Sequence, residues 1–137
     1  MTIIKPLAPF FGIALLGACV AGLMPQNASV QRGKVIYAKE CSHCHSPTGD
    51  GAGAASLGLG VAPPDVTGLT ARNDGVFPRE FVHRFVLGTL EKEDPDAAMP
   101  EFGKVGLQHA SADGTPAGEV STADMIALLD YVETIQK

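Results

Sequence analysis

The chain has 137 residues, enough for one domain and a modest core. With six Phe, two Tyr and no Trp, that core has little aromatic mass of its own. A formal net charge of −5 argues against nucleic acid or any other polyanion as partner.

The first element is an export signal over residues 1–18. Lys5 stands near the start, and an apolar stretch without charge runs from Leu7 to Ala18. The end of that stretch, Leu16-Gly17-Ala18-Cys19, resembles the lipobox of bacterial lipoproteins, where the signal is cut before the cysteine and the thiol then carries a diacylglycerol. Three cysteines is an odd count for an exported chain, and lipidation of Cys19 accounts for the odd one. Two other readings stay open. An ordinary signal cut a few residues later would discard Cys19 and leave a soluble periplasmic protein. An uncleaved anchor helix is the second, since the apolar run can be stretched from Pro6 to Leu23, close to spanning length. All three place the remainder outside the cytoplasm. Residues 19–28 then form a tether, with Gly22, Pro25 and Asn27, and residues 29–137 form the domain.

A helix is expected over Ser29 to Ser42. Gly33 in its interior costs about 1 kcal/mol of helix propensity relative to Ala and so requires a packing reason. Tyr37 and then Cys41 follow at intervals of four, on the same face.

At the end of this helix stands Cys41-Ser42-His43-Cys44-His45, the spacing of covalent c-type haem attachment. One helical turn separates the two thiols, so both leave the same side of the chain and can add to the two haem vinyl groups. His45 follows directly and can turn its ring onto the iron as the proximal ligand. His43 is filler within the motif. A structural zinc site would want four Cys/His ligands, and no second cysteine pair follows; a thioredoxin-like dithiol would want a βαβ pattern, which is absent.

Through these residues the chain resembles the class I, monohaem c-type cytochromes, over roughly Gly33 to Ile135. The resemblance implies a small all-α cytochrome c fold: three main helices and Gly/Pro-rich loops wrapped around one covalently bound haem c. It implies that Gly33 and Tyr37 mark where the first helix crosses the last one closely, against Leu128 and Tyr131. It further implies that a proline carbonyl accepts the Nδ1 proton of the proximal histidine, fixing its tautomer. Pro64, in Ala62-Pro63-Pro64-Asp65-Val66-Thr67-Gly68-Leu69, holds that place. The plain alternative for Pro64 is a turn.

A middle helix is expected from Pro78 to Leu87, with Pro78 at its first position, Gly88 at its end, and Phe81, Val82, Phe85 and Val86 on its buried face. Beyond it, Ala98-Met99-Pro100-Glu101-Phe102-Gly103 resembles the family's Met-Pro-x-aromatic-Gly, which makes Met99 the distal iron ligand. The competing sixth ligands are Met125, placed as core filler on the last helix, His83, placed as a partly exposed helix residue, and His109, in a Gly-rich segment. Glu91, Glu93, Asp94, Asp96 and Glu101 crowd around Met99, opposed by Lys92 and Lys104. The last helix opens with a capping-box-like pair, Ser121 and Asp124, runs to about Gln136, and buries Met125, Leu128, Leu129 and Val132.

Pro-Asp-x-Thr at 64–67, Asn73 to Pro78 and Met99-Pro100 also resemble one branch of monohaem cytochromes, with Asp74 where the branch has Gly. Its members are small electron carriers or haem subunits tied to respiratory enzymes. The expected function is therefore a one-electron carrier on the periplasmic face of a bacterial membrane, lipid-anchored at Cys19 and not itself an enzyme. Its redox partners would be a dehydrogenase, a cytochrome complex or a terminal oxidase. The alternatives are a fixed haem subunit of a larger membrane oxidoreductase, or an open-site haem sensor or enzyme in which Met99 is not on iron.

Overall fold

The computed structural model describes residues 26–91, 98–109 and 118–137. The export signal, Cys19 and the tether up to residue 25 lie outside the described residues, as do Lys92, Glu93, Asp94 and Asp96. Helix α1 spans Gln26–Ile36, so its first turn occupies the last residues assigned to the tether. It does not continue as a regular helix to Ser42. The chain widens into a π turn over Tyr37–Cys41 and resumes as α2, Ser42–His45. The Ser42 amide bonds to the Tyr37 carbonyl, and the Ser42 hydroxyl donates to the Ala38 carbonyl at 2.7 Å. Two short helices, α3 (Arg79–Leu87) and α4 (Phe102–Val105), and two 3₁₀ turns, at Ala54–Ser56 and Ala71–Asn73, precede the C-terminal helix. Helix α5 spans Thr122–Thr134. Among the described residues the only extended pairing is an isolated antiparallel bridge between Leu107 and Gly118, so the fold is all-α.

The crossing of α1 and α5 organises the molecule. A Cβ on Gly33 would lie 1.8 Å from the Ala127 carbonyl oxygen and 2.8 Å from Tyr131 Cβ, so only glycine permits this approach. One turn on, the rings of Tyr37 and Tyr131 meet at 5.3 Å, tilted by 52°. Polar contacts fix the register around this point. Arg32 donates from Nε and Nη2 to one oxygen of Asp124, at 3.0 and 2.6 Å, and Ser29 donates to Asp130. Helix α3 docks on the same helix through Arg79, which pairs with Asp130 and, at 2.8 Å, with Glu133. Ile36, Tyr37, Val86, Phe102, Leu107, Met125, Leu128, Leu129 and Val132 make the buried core between these elements. Met125 is core filler, 3 % exposed.

Helix boundaries follow local chemistry. The Ser121 hydroxyl accepts the Asp124 amide at 3.1 Å while Asp124 accepts the Ser121 amide, a complete capping box. Gly88 ends α3 in the left-handed region at φ 74°, as expected of a C-terminal glycine. Two details of α3 differ from expectation. Pro78 flanks the helix rather than opening it; its carbonyl accepts the first helical bond, from Val82, at 3.0 Å. Phe81 is 53 % exposed and stacks on Phe85 at 5.7 Å. The nine-residue helix is held by Arg79 and buries only Val86 fully, which turns Phe81 outward.

Candidate cofactor site at the Cys41–His45 turn

The described thiols, Cys41 and Cys44, form no disulfide, and each is partly exposed. Cys41 also packs against the core cluster. Burial pushes its thiol up to about 12, with Glu40 and Cys44 adding to the effect. A reactive redox dithiol would be favoured by the opposite shift, toward thiolate. Among the described residues no group of three or more His, Cys, Asp and Glu is arranged to hold a metal ion.

A loop wraps tightly beneath the motif and sets the direction of His45. The Gly53 amide donates to the Cys44 carbonyl at 2.8 Å, the Gly51 amide to the His45 carbonyl at 3.0 Å, and the Tyr37 hydroxyl to the Ser46 carbonyl at 2.9 Å. Burial pushes the Tyr37 hydroxyl far above its ordinary range, so it stays a donor. Gly51 has φ +86°, and a Cβ there would meet the Pro63 carbonyl at 2.7 Å; the 62–66 segment can therefore press against the loop. The Val66 amide donates to the Gly49 carbonyl at 2.8 Å and pins that segment. The outcome is a contact of 3.0 Å between His45 Nδ1 and the Pro64 carbonyl oxygen. A carbonyl can only accept, so Nδ1 carries the proton and Nε2 keeps its lone pair.

The segment after Pro64 is held from the far end of the chain. Asp65 accepts the Thr67 amide and hydroxyl at 2.7 and 2.6 Å, and those two hydrogen bonds hold its carboxyl below the ordinary aspartate range. The Gln136 side chain bridges the Thr70 amide and the Val66 carbonyl, and the Lys137 amide donates to the Thr67 carbonyl. The Pro-Asp-x-Thr pattern is thus a turn locked under α5.

Met99 is half-buried and packs against the same core cluster as Cys41. Phe102, three residues on, is buried at 5 % exposure, and a Cβ on Gly103 would lie 2.5 Å from the Leu87 carbonyl. These two anchor the loop that carries Met99. Of the other sixth-ligand candidates, His83 is partly exposed with Nδ1 3.9 Å from Glu80, and Met125 is buried in the core. His109 is bound by Glu40 at 3.1 Å. In the acidic stretch Glu91 is exposed and Glu101 is paired with Lys104.

Glu40 is the residue that sequence reasoning passed over. Its side chain is 4 % exposed and accepts from the Gln108 amide, the His109 amide and His109 Nδ1. The available signal was an acidic residue directly before Cys41, inside a helix whose next turn carries the motif.

Residues 30–136 match the family model described as Cytochrome c. No curated protein and no solved structure matches the chain.

Proposed function

The chain belongs to the cytochrome c family, whose cofactor is covalently bound haem c and whose general role is electron transfer, and from that premise we propose that it is a one-electron carrier on the periplasmic face of a bacterial membrane. The donor set fits the cofactor. Two thiols one turn apart, an imidazole with a single free nitrogen and a half-buried thioether are what an iron porphyrin with two vinyl groups takes. Leu57 and Val61, between His45 and Pro64 in sequence, are 87 % and 78 % exposed. The bound haem supplies an iron that cycles between ferrous and ferric states.

Cys41 and Cys44 would hold the group covalently through their two thiols. His45 would hold the iron through Nε2, with the carbonyl of Pro64 keeping its ring in place and raising its basicity. Met99 would supply a thioether ligand, which would raise the potential. With His45 and Met99 both supplied by the chain, the bound group would serve electron transfer rather than substrate binding. The contact between His45 Nδ1 and the Pro64 carbonyl supports this reading, since it leaves the other ring nitrogen available as a ligand. The apolar run before Cys19 supports export, and lipidation at Cys19 would hold the domain at the membrane. Among the described residues no helix is long and apolar enough to cross a membrane. The electron partner is a respiratory dehydrogenase, cytochrome complex or oxidase. Tight association with one of these would make the same site the fixed haem subunit of a larger oxidoreductase.

Mass spectrometry of the mature protein tests both halves. One haem retained through acid–acetone extraction and a diacylglycerol adduct on Cys19 are expected. Haem lost on extraction would sink the electron-carrier reading, and an unmodified Cys19 would sink the anchor.

A further inference from the structure

Glu40 lies within the π turn, directly before Cys41. A carboxylate at 4 % exposure has lost its water and must find donors in the protein. Three reach it: the Gln108 amide at 3.2 Å, the His109 amide at 2.8 Å and His109 Nδ1 at 3.1 Å. All come from one short segment, whose base is closed where Leu107 and Gly118 exchange bonds at 2.7 and 3.0 Å. Bonds to a charged acceptor are roughly twice as strong as neutral ones, so this one side chain fastens the segment to the turn that carries the motif.

Glu40 also faces two spaces. On one side it lines a small core cavity with Cys41, Phe102 and Met125; on the other it borders an open depression with His43, Pro100 and His109. It therefore stands where the Cys41 turn, the Met99–Pro100 segment and the Gln108–His109 segment converge. Ferric iron carries one more positive charge than ferrous iron, and a fixed negative charge in a poorly solvated setting acts strongly on that difference.

We propose that Glu40 is a positioning residue of the haem site: its buried carboxylate ties the Gln108–His109 segment over the Cys41 turn and biases the iron toward the ferric state, lowering the reduction potential. The second half rests on the haem reading above; the first does not.

Glu40→Gln and Glu40→Ala in the haem-loaded protein separate the two. Gln keeps an oxygen that can accept the backbone amides but carries no charge; Ala keeps neither. Redox titration should show the midpoint potential raised in both variants to a similar extent. Amide exchange at Gln108 and His109 should quicken about tenfold in Glu40→Ala, the loss of a hydrogen bond worth about 1 kcal/mol or slightly more, and change little in Glu40→Gln. His109→Ala removes one donor from an exposed side chain, leaves the carboxylate less compensated and should move the potential downward. It also serves if either Glu40 variant fails to fold. An unmoved potential at normal haem content in Glu40→Gln, or in His109→Ala where the Glu40 variants do not fold, overturns the proposal, as do unchanged amides in Glu40→Ala. A protein that carries no haem defeats the haem reading, while the exchange experiment still decides whether Glu40 ties the segment.

Discussion

A carbonyl oxygen 3.0 Å from Nδ1 leaves His45 one nitrogen with which to act, and that constraint governs the chemistry at the scale of single residues. Met99 is under looser control. It is only half-buried, and its position depends on Pro100 stiffening the loop and on Phe102 anchoring it in the core. Met99→Ala should therefore act mainly on the ligand role. The near-infrared sulfur-to-iron band of the ferric protein should vanish, the reduction potential should fall, and carbon monoxide or cyanide should bind quickly. The stability cost should stay near about 1–2 kcal/mol, at or below the low end for truncating a buried methionine. An unchanged spectrum in Met99→Ala would remove it from the iron, and a spectrum altered by His83→Ala would put a histidine there. The motif cysteines and His45 were legible from spacing alone. Glu40 was not, because nothing in a helix sequence says which acidic residue a distant segment will cover.

At the scale of elements, the α1–α5 crossing carries the fold. Gly33→Ala places a methyl 1.8 Å from the Ala127 carbonyl oxygen, and backbone cannot rotate away as a side chain can. The helices must move apart, at about 3 kcal/mol or more, and denaturant unfolding should read that loss directly. Asp124 closes the capping box of α5 and receives Arg32 from α1. Burial works against its charge, but the Ser121 and Arg32 hydrogen bonds prevail and hold its carboxyl below the ordinary aspartate range. A group whose folded pKa is depressed contributes its stability above the unfolded pKa and loses it as pH falls through the folded value. Asp124→Asn should thus cost about 2–4 kcal/mol at neutral pH, a cap plus one partner of a largely buried ion pair. The difference from wild type should shrink as pH falls below about 4, the unfolded aspartate value, toward the lower pH at which the native aspartate protonates. A gap independent of pH would show that shape, not charge, holds this joint. The capping box, the glycine stop of α3 and the apolar face of α5 were readable because each depends on neighbours within one turn. The π turn at Tyr37–Cys41 and the outward Phe81 were not; both depend on how α1 and α3 dock.

For the whole molecule, charge decides how a partner approaches. The chain carries −5, and acidic residues cluster at 91–101 next to Met99, although only Glu91 and Glu101 of them are described. Glu101 is partly neutralised by Lys104. The electron partner should present a basic surface, opposite to what a lysine-ringed cytochrome would select. Steering of this kind is screened over about 8 Å at physiological salt, so electron transfer measured by stopped flow should slow as ionic strength rises. Reversing Glu93 and Asp94 should slow it further at low salt, and a rate flat or rising with salt would remove the steering.

The sequence by itself determined the helical class, the spacing of the Cys41–His45 motif, the glycine stop of α3 and the capped start of α5, because each is written in contacts between residues a few positions apart. Resemblance to a family named Pro64, Gly33 and Met99 as well. Only the tertiary structure decided what holds them. The Pro64 carbonyl reaches His45 because Gly51 lets two loops touch and Gly49 pins Val66. Gly33 faces the Ala127 carbonyl because Arg32, Ser29 and Arg79 set the register of α5. Glu40 became buried because Gln108 and His109, 68 and 69 residues away, bring their amides to it. Contacts at such separations depend on the docking of whole elements, and no local pattern of residue types encodes that.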